Sequence, residues 1–541
     1  MKRLTTTKLI YGCAVMAGLL FFAAAGGTVR AEEEIPSSAE NAASTEVPVL
    51  AENLTKELQI TLSGGQGRGN ITDDSIYTFA SFQEGETVTL KCDKEIGSLY
   101  IMWNKLPKAW SGAADGEAFS GGEKGFLHEY VALENPARSV VINIPEGGAQ
   151  ITDVYAFSQG EPPDWVQVWE EPCARADVLL FSTHSDDDQL FFAGILPYYA
   201  MERKAYVQVV YGTNHWDTVT RPHEQLNGLW TVGVRNYPVI SDFPDDARSL
   251  GSTSESRETV LARAKGVYDE EEWIRFEVRM LRRFQPQVVV NHDINGEYRH
   301  GAHILNTDAL MQALELSGDA SYDTESAQGY GVWDVPKTYL HLYDQNQLVM
   351  DWDMPYDSMG GRTPFEMSKL GYACHYSQQW TWFTDWITEE KAADIKRYSP
   401  CQYGLYRTTV GEDVEKNDLL ENIVTYARQE ELAEEERLRA EEAKRQEEER
   451  LRAEEAKRQE EERLRAEEAK RQEEERLRAE EAERQEEERL QAERGAFVRT
   501  VGIIVIAVFV ILLLPAAIAA FRLIRRQRRR KRRKAQERGK R

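Results

Sequence analysis

The chain has 541 residues, a formal net charge of -25 and 41% hydrophobic residues, so it can build a core but is too long for one compact domain. The acidic composition argues against nucleic-acid binding, because phosphate recognition needs clustered Lys and Arg. Only the segment 522–541 is strongly basic, with thirteen Lys and Arg against one Glu. Such a segment suits an anionic lipid surface.

The N-terminus has the pattern of an export signal. Lys2 and Arg3 precede an apolar run, and Val29 and Ala31 stand at the right offsets for cleavage after Ala31. We therefore predict a signal peptide over 1–31, with an uncleaved anchor as the alternative. Residues 32–55 are acidic and rich in Ala, Ser and Pro, which predicts a flexible linker.

Export permits disulfides, and four cysteines follow the signal peptide. A bond between Cys374 and Cys401 is conceivable, but the sequence leaves the pairing open. Because no CxxC pair occurs, a thiolate zinc site has little support.

Residues 56–160 contain short β-branched segments separated by Gly-rich turns, which predicts a β-sandwich. The region resembles the discoidin-like sandwiches that often bind carbohydrate. On that resemblance, Trp103, Trp110 and Tyr130 would be exposed and would stack on sugar rings, although aromatic residues of this kind are also common in cores.

Residues 175–425 indicate an α/β domain. The apolar segments Val178 to Ser182, Tyr206 to Tyr211 and Val288 to Val290 read as strands, with helical stretches such as Ser256 to Phe284 between them. Alternating strands and helices predict a parallel sheet, whose site would lie at the carboxyl ends of the strands.

Residues 430–493 repeat a charged thirteen-residue unit. At about 100° per residue, thirteen residues overshoot three turns by about 220°, so successive leucines face different directions and no coiled-coil seam forms. Pairs such as Glu441–Arg445 and Glu448–Arg452 would instead support a single charged helix. Disorder and weak self-association are the alternatives.

The segment 501–521 is apolar and about as long as a bilayer is thick. It predicts one transmembrane helix, and the basic tail 522–541 would lie in the cytoplasm by the positive-inside rule. The rest of the chain would then stand outside the cell membrane.

Two polar clusters follow predicted strands. The first is the segment 183–188, directly after the first strand, which contains His184, Asp186, Asp187 and Asp188. The second is the segment 291–303, directly after the strand at Val288, which contains His292, Glu297, His300 and His303. Two imidazoles and one carboxylate would form a zinc site with an open fourth position. A second carboxylate beside the metal could take a proton from water, and a further histidine could stabilise an oxyanion or protonate an amine.

These clusters resemble the motifs of the PIG-L/LmbE family of zinc de-N-acetylases, His-Pro-Asp-Asp-Glu and His-Pro-Asp-His, carried on a Rossmann-like fold. The resemblance covers about residues 175–380. It implies that zinc is bound by His184, Asp187 and His303. It also implies that Asp186 is the general base and His300 the electrostatic or acid partner.

Other segments share the likeness. Arg221 and Glu224 resemble the family's Arg-x-x-Glu segment, which implies that Arg221 contacts substrate, and His375 begins a His-x-Ser-Gln element seen in many members.

The chain departs from the family motifs at three places and offers rival ligands. Ser185 replaces Pro, Asp188 replaces Glu, and Gly301-Ala302 replaces Pro-Asp, which puts the loop geometry and substrate preference in doubt. His292 is a rival third ligand, and His215 could also approach the site.

The resemblance implies zinc-dependent hydrolysis of the acetamide of an N-acetylated amino sugar, such as a glycan or glycolipid containing N-acetylglucosamine. The export signal would place this activity outside the membrane. The alternative function is a surface lectin or adhesin with an inactive deacetylase-like domain, and a structural spacer is a third. The sequence does not identify the sugar or its linkage.

Overall fold

The structure, a computed structural model, describes residues 49–65, 67–379 and 387–536. The predicted signal peptide 1–31, residues 32–48 of the predicted linker and the last five residues of the basic tail lie outside the described residues. The chain divides into two compact units, Met1–Val168 and Trp169–Arg541.

The first unit is built on one seven-stranded sheet whose pairings are antiparallel. Its order is β2-β7-β3-β6-β4-β5, with β1 paired to β3. The long central strands β3 and β6 pair along most of their length, with register shifts after Lys91 and Ile96. The strands are β1 (Gln59–Leu62), β2 (Ala80–Phe82), β3 (Thr87–Trp103), β4 (Trp110–Ala114), β5 (Glu117–Gly121), β6 (His128–Asn143) and β7 (Ala149–Phe157).

Of the two roles that the sequence leaves open for Trp103, Trp110 and Tyr130, the core role holds for the two tryptophans, and their exposure on a sugar-stacking surface is excluded. Trp103 is fully buried and Trp110 is only 3% exposed. Both indole N–H groups donate to Oε2 of Glu129, each at 3.0 Å. Tyr130 is half-buried and packs against the core of the unit. Trp103 and Trp110 are therefore core residues, and the half-buried carboxylate of Glu129 satisfies their two polar N–H groups.

The predicted flexible linker is wrong at its C-terminal end. Ala51 and Leu54 are buried, and their amides donate to the carbonyls of Glu161 (2.7 Å) and Ala156 (2.8 Å). Residues 49–55 are fixed because these apolar side chains are buried and the backbone pairs along the sheet. Composition alone had grouped these residues with the acidic segment before them.

The second unit is α/β. Its seven-stranded sheet has the order β10-β9-β8-β11-β12-β14-β13, in which the first five strands are parallel to one another and β14 pairs antiparallel with both β12 and β13. The strands are β8 (Val178–Ser182), β9 (Val207–Tyr211), β10 (Val239–Ile240), β11 (Val288–Asn291), β12 (Lys337–His341), β13 (Gln347–Val349) and β14 (Gln402–Thr408).

Helices connect these strands. They are α1 (Asp187–Leu190), α2 (Ile195–Pro197), α3 (Arg221–Thr231), α4 (Arg257–Lys265), α5 (Glu270–Phe284), α6 (Gly301–Leu316), α7 (Thr324–Tyr330) and α8 (Pro364–Ala373). The predicted helical stretch 256–284 is two helices, because Asp269 accepts a hydrogen bond from the amide of Glu272 and so caps the start of α5. The prediction of a mixed α/β chain is confirmed.

Tertiary packing places β8 and β11 side by side in the middle of the sheet. All residues of both strands are buried, as continuous apolar runs in a sheet covered on both faces should be. Their pairing is parallel, with Val178 opposite Val288 and Leu180 opposite Val290. The loops that follow both strands therefore leave the sheet at the same edge.

The C-terminal region forms one uninterrupted helix, Tyr426–Gln536, which we call the terminal helix. The predicted rod 430–493, the span 501–521 and residues 522–536 of the tail are thus stretches of a single element rather than separate ones. The terminal helix contains a window of mean hydropathy 3.2, none of it buried, which is long and apolar enough to cross a membrane. Membrane insertion and its direction stay predictions.

The charged part of the terminal helix has the character of a lone helix. Glu448 and Arg452 lie 3.8 Å apart, whereas the predicted Glu441–Arg445 pair is not among the ion pairs of the described residues. About half of each repeat leucine is exposed: Leu438, Leu451, Leu464, Leu477 and Leu490. The described residues thus give the helix no partner along this stretch.

The terminal helix begins at the amino-terminal edge of the second sheet. Asp177, directly before β8, accepts hydrogen bonds from the amides of Tyr426 and Tyr206. The hydroxyl of Tyr426 donates to the carbonyl of Gln285 at 2.9 Å, and that of Tyr206 donates to Glu430 at 2.5 Å. These contacts fix the first turns of the helix to the edge opposite the loops that follow β8 and β11.

All four cysteines of the described residues are free thiols. Cys401 is buried, and Cys374 lies 3.6 Å from the hydroxyl of Thr231. The conceivable bond between Cys374 and Cys401 is therefore not formed.

A buried histidine of the first unit should make that unit sensitive to acid. Burial lowers the pKa of His128 to about 4. As the pH falls from 6.5 towards 4, the unfolded chain gains a proton that folded His128 does not. The free energy of unfolding is therefore highest above about pH 6.5, and it falls by up to about 3 kcal/mol as the pH decreases towards 4. We expect His128→Asn to flatten this dependence.

The measurement is hydrogen exchange of the β3 and β6 amides in the full chain, corrected for the intrinsic effect of pH on exchange. His375→Asn is the control, since His375 is also fully buried but belongs to the second unit. An equal loss of protection at low pH in the wild type and His128→Asn would contradict the interpretation.

Candidate metal centre and active site

The candidate site lies at the carboxyl edge of the second sheet, where two loops meet. After β8 the chain turns through His184 and enters α1 at Asp187. After β11 it passes through a 3-10 turn, Glu297–Arg299, and enters α6. His300 is the N-cap of α6, with its side chain accepting the amide of Ala302, so that His303 falls in the first turn of α6.

Three side-chain atoms from these loops form a compact donor triangle. Nδ1 of His184 lies 3.0 Å from Oδ2 of Asp187 and 3.0 Å from Nε2 of His303. Nε2 of His303 lies 3.2 Å from the same Asp187 oxygen. The structure therefore brings together the three residues that the sequence suggested as ligands.

The triangle fits a small divalent cation of the zinc type. Ligand bonds of about 2.0–2.1 Å in a tetrahedron separate the donor atoms by about 3.3–3.4 Å, close to the observed spacings. Two nitrogens and one carboxylate oxygen are donors that zinc accepts, and three protein ligands leave one position for a reactant. His184, Asp187 and His303 are also at most 6% exposed.

Charge at the triangle is balanced within it. Burial alone would raise the pKa of Asp187, but the facing imidazoles of His303 and His184 outweigh it and hold that pKa well below its usual range. Asp187 is therefore an anion, as a metal ligand must be. The neighbouring Asp188 has no such partner, and burial raises its pKa well above the usual range.

Asp186 lies beside the triangle and is held by Arg221. Nη2 of Arg221 is 3.1 Å from Oδ1 of Asp186, and the same guanidinium donates two hydrogen bonds to the Ser185 hydroxyl, at 2.7 and 3.0 Å. Burial raises the pKa of Asp186, and Arg221 opposes that shift. Arg221, predicted to contact substrate, thus already contacts this carboxylate and the Ser185 that replaces the motif proline.

The ring of His300 lies beside the rings of His184 and His303. Its Nδ1 accepts the amide of Ala302 at 3.2 Å, so the proton of the neutral ring is on Nε2. Burial and the nearby rings of His184 and His303 lower the pKa of His300 well below its usual range. The ring centroids of His184 and His300 are 4.4 Å apart. The geometry therefore suits a neutral donor better than a cationic acid.

The two rival histidines differ in their contacts. Nε2 of His292 accepts the amide of Thr183 at 3.0 Å, and its Nδ1 faces Glu297 at 2.7 Å, so both ring nitrogens are occupied. The ring of His215 stacks against that of His184 at 6.2 Å, and its Nε2 lies 3.4 Å from the Arg221 guanidinium. Burial lowers the pKa of His215 to about 3.

Sequence reasoning missed several residues of the site. Asp245, which follows β10, places Oδ1 3.4 Å from Nε2 of His184 and Oδ2 3.8 Å from Nδ1 of His215. Its position after a strand of the same parallel sheet was a signal that could have found it. Glu297 and His341 form a second set behind the triangle, with Nδ1 of His341 2.6 Å from Oε1 of Glu297.

The two outer family-like segments contact each other. The amide and hydroxyl of Ser377 donate to the carboxylate of Glu224, at 2.8 and 2.6 Å. Glu224 lies on α3, the helix that also carries Arg221. The contact thus holds α3, and with it the partner of Asp186, against the segment after α8.

No family model matches the chain. A 1D-myo-inositol 2-acetamido-2-deoxy-alpha-D-glucopyranoside deacetylase 1 from Catenulispora acidiphila is 26% identical over 198 residues, which are 33% of this chain and 59% of the relative. A deacetylase of the same substrate from Geodermatophilus obscurus is 35% identical over 71 residues, 13% of this chain and 23% of the relative. The chain thus spans less than two thirds of the relatives it matches.

Solved structures give weaker likenesses. The N,N'-diacetylchitobiose deacetylase of Pyrococcus horikoshii is 17% identical, with a TM-score of 0.27 over 38% of this chain and 71% of that one. CpGH89CBM32-6, produced by Clostridium perfringens, is 19% identical, with a TM-score of 0.17 over 20% of this chain and 99% of that one. These TM-scores are too low to carry an argument.

The donor triangle generates a prediction about metal content. We expect the full chain in detergent to bind one zinc ion and His303→Gln to lose stoichiometric binding, because that change removes one of three ligands. His215→Gln should keep the zinc, since His215 lies outside the triangle. Metal analysis of the purified proteins measures both. Loss of zinc in His215→Gln with retention in His303→Gln would show that the ligand set is wrong.

Proposed function

We propose that this chain is a metal-dependent deacetylase of the PIG-L/LmbE type, which hydrolyses the acetamide of an N-acetylated amino sugar and releases acetate. The observation that carries the proposal is the triangle of His184, Asp187 and His303, with donor atoms 3.0–3.2 Å apart and Asp186 beside it. The curated relatives, named as deacetylases of an acetamido-deoxy-glucopyranoside, support the same reaction.

In this proposal zinc would be held by His184, Asp187 and His303. When bound, it would polarise the acetamide carbonyl and lower the pKa of a water molecule at the open position. Asp187 and Asp186 would have different roles because their surroundings differ. Asp187 is kept anionic by two imidazoles, whereas the raised pKa of Asp186 suits a group that must hold a proton during the reaction.

Asp186 would accept a proton from the attacking water and later return it to the leaving amine. Arg221 orients this carboxylate through a contact of 3.1 Å and limits how far its pKa rises. His300 would donate its Nε2–H to the oxygen of the acetamide carbonyl as negative charge develops there. Since Nδ1 of His300 is fixed by the amide of Ala302, the donor does not need to reorient when substrate binds.

The place of action is part of the proposal. The apolar stretch of the terminal helix would anchor the chain in the cell membrane, with the basic tail inside and the two seven-stranded sheets outside. An exported deacetylase would meet surface or wall glycans and glycolipids. The alternative, a surface lectin with an inactive deacetylase-like domain, predicts glycan binding without acetate release.

The general base is tested with Asp186→Asn in the zinc-loaded full chain. We expect acetate release from an N-acetylglucosamine-containing glycan to fall by about 10²–10⁴-fold, because the proton acceptor is lost. Zinc content should be unchanged, since Asp186 is not part of the triangle. The measurement is acetate release across a panel of N-acetylated glycans, with metal analysis of the same samples.

Asp308→Asn is the matched control. Asp308 lies on α6, five residues beyond His303, and pairs with Arg257 at 2.7 Å and Lys265 at 3.1 Å, so it should affect stability more than catalysis. Full activity in Asp186→Asn would exclude Asp186 as the base. Tight glycan binding by a wild-type chain that binds no zinc and releases no acetate would favour the lectin.

A further inference from the structure

Behind the donor triangle lies one carboxylate that contacts three imidazoles. Glu297 is fully buried. Its Oε2 lies 2.7 Å from Nδ1 of His292 and 2.8 Å from Nδ1 of His303, and its Oε1 lies 2.6 Å from Nδ1 of His341. Oε1 also accepts the amide of Asp293 at 3.1 Å. This set, which we call the Glu297 hub, has no place in the mechanism above.

The hub determines which nitrogen of each ring carries the proton. A carboxylate oxygen accepts hydrogen bonds, so the Nδ1 atoms that face Glu297 are the donors. For His303 this directs Nε2 towards His184 and Asp187, at 3.0 and 3.2 Å, so that Nε2 would carry the lone pair when a metal ion is bound there. A metal-binding histidine needs its lone pair at this position, and a carboxylate on the other nitrogen is the usual way to hold it there.

His292 extends the hub to the first loop. With its proton on Nδ1, its Nε2 is an acceptor, and the amide of Thr183 donates to it at 3.0 Å. Thr183 directly precedes His184. Through this one ring, Glu297 therefore links the loop after β11 to the loop after β8, and so sets the distance between the two halves of the triangle.

His341 ties the hub to a third strand. It is the last residue of β12, with Nδ1 2.6 Å from Oε1 of Glu297 and Nε2 2.9 Å from the carbonyl oxygen of Ser399. Because both ring nitrogens face a partner, the orientation of this ring is fixed and β12 is joined to Glu297.

We propose that Glu297 is the positioning residue of the metal site: it fixes the ring of His303 with Nε2 towards the ion and, through His292, holds the two ligand loops at metal-binding distance. The inference rests on the proposed function, which gives His303 its role as a ligand. It also makes His292 and His341 part of the support rather than ligands.

The test compares Glu297→Gln with the wild type as full-length proteins in detergent. A glutamine offers an N–H group where an Nδ1–H now points, so at least one of the three rings must turn or move its proton. We expect zinc affinity, measured by competition with a chelator, to fall by about 10–100-fold. The second measurement is NMR of the metal-free protein labelled with ¹⁵N-histidine, whose nine histidines give few enough signals to resolve. We expect fewer rings to be protonated at Nδ1 in Glu297→Gln than in the wild type.

Glu277→Gln is the matched control. Glu277 is also fully buried in the second unit, but its partner is the indole N–H of Trp273 at 3.1 Å rather than an imidazole. Burial raises the pKa of Glu277 well above its usual range, so the amide replaces a neutral acid of the same shape. Zinc affinity and the histidine spectrum should match the wild type in this variant.

Glu297→Asp covers the case in which Glu297→Gln does not fold. It keeps the charge on a shorter side chain, so we expect the Nδ1–H pattern to persist with zinc affinity between those of the wild type and Glu297→Gln. The role of Glu297 would be overturned if Glu297→Gln bound zinc as tightly as Glu277→Gln and had an unchanged histidine spectrum. This conclusion would hold whether or not the variant released acetate. A wild type that binds zinc with this histidine pattern but releases no acetate contradicts the proposed function alone.

Discussion

The parallel pairing of β8 with β11 is the constraint on which the candidate site depends. Leu180 opposite Val290 sets a register in which both strands end at the same edge of the sheet. Residues more than a hundred positions apart in sequence, such as His184 and His303, then come within 3.0 Å of each other. A slip of this register would separate the donor atoms, since each residue advances a strand by about 3.3 Å.

Burying the charged side chains at this edge costs free energy, so their presence there indicates a functional site. Asp187 and Glu297 are buried anions, and each is held in that state by imidazoles, whereas Asp188, which lacks such partners, has a strongly raised pKa. Burying a charge costs several kcal/mol before any partner offsets it, and well-packed apolar side chains would stabilise a fold as well. Several buried charges at one edge of the sheet are therefore what a catalytic site would require.

The sequence predicted those parts of the site that are local. His184, Asp187 and His303 stand directly after apolar strands or at the start of a helix, so strand order and motif sufficed. Glu297 lies in the second predicted cluster but was given no role, and His341 and Asp245 were missed, because their roles depend on which loops meet in space. The sequence left the place of Trp103 and Trp110 open for a related reason: aromatic residues on strands can face the core or the solvent, and here both are buried, with their indole N–H groups donating to Glu129.

The two edges of the second sheet carry different parts of the molecule. The terminal helix starts at the amino-terminal edge, held by Asp177, while the donor triangle lies at the carboxyl edge. From Tyr426 to Val501 a continuous helix spans about 110 Å at about 1.5 Å per residue. In the membrane-anchored arrangement that we propose, this helix would hold the donor triangle away from the lipid headgroups, because the triangle lies at the edge of the sheet opposite the start of the helix. Such an arrangement would favour a wall or surface glycan over a lipid-linked sugar of the same membrane.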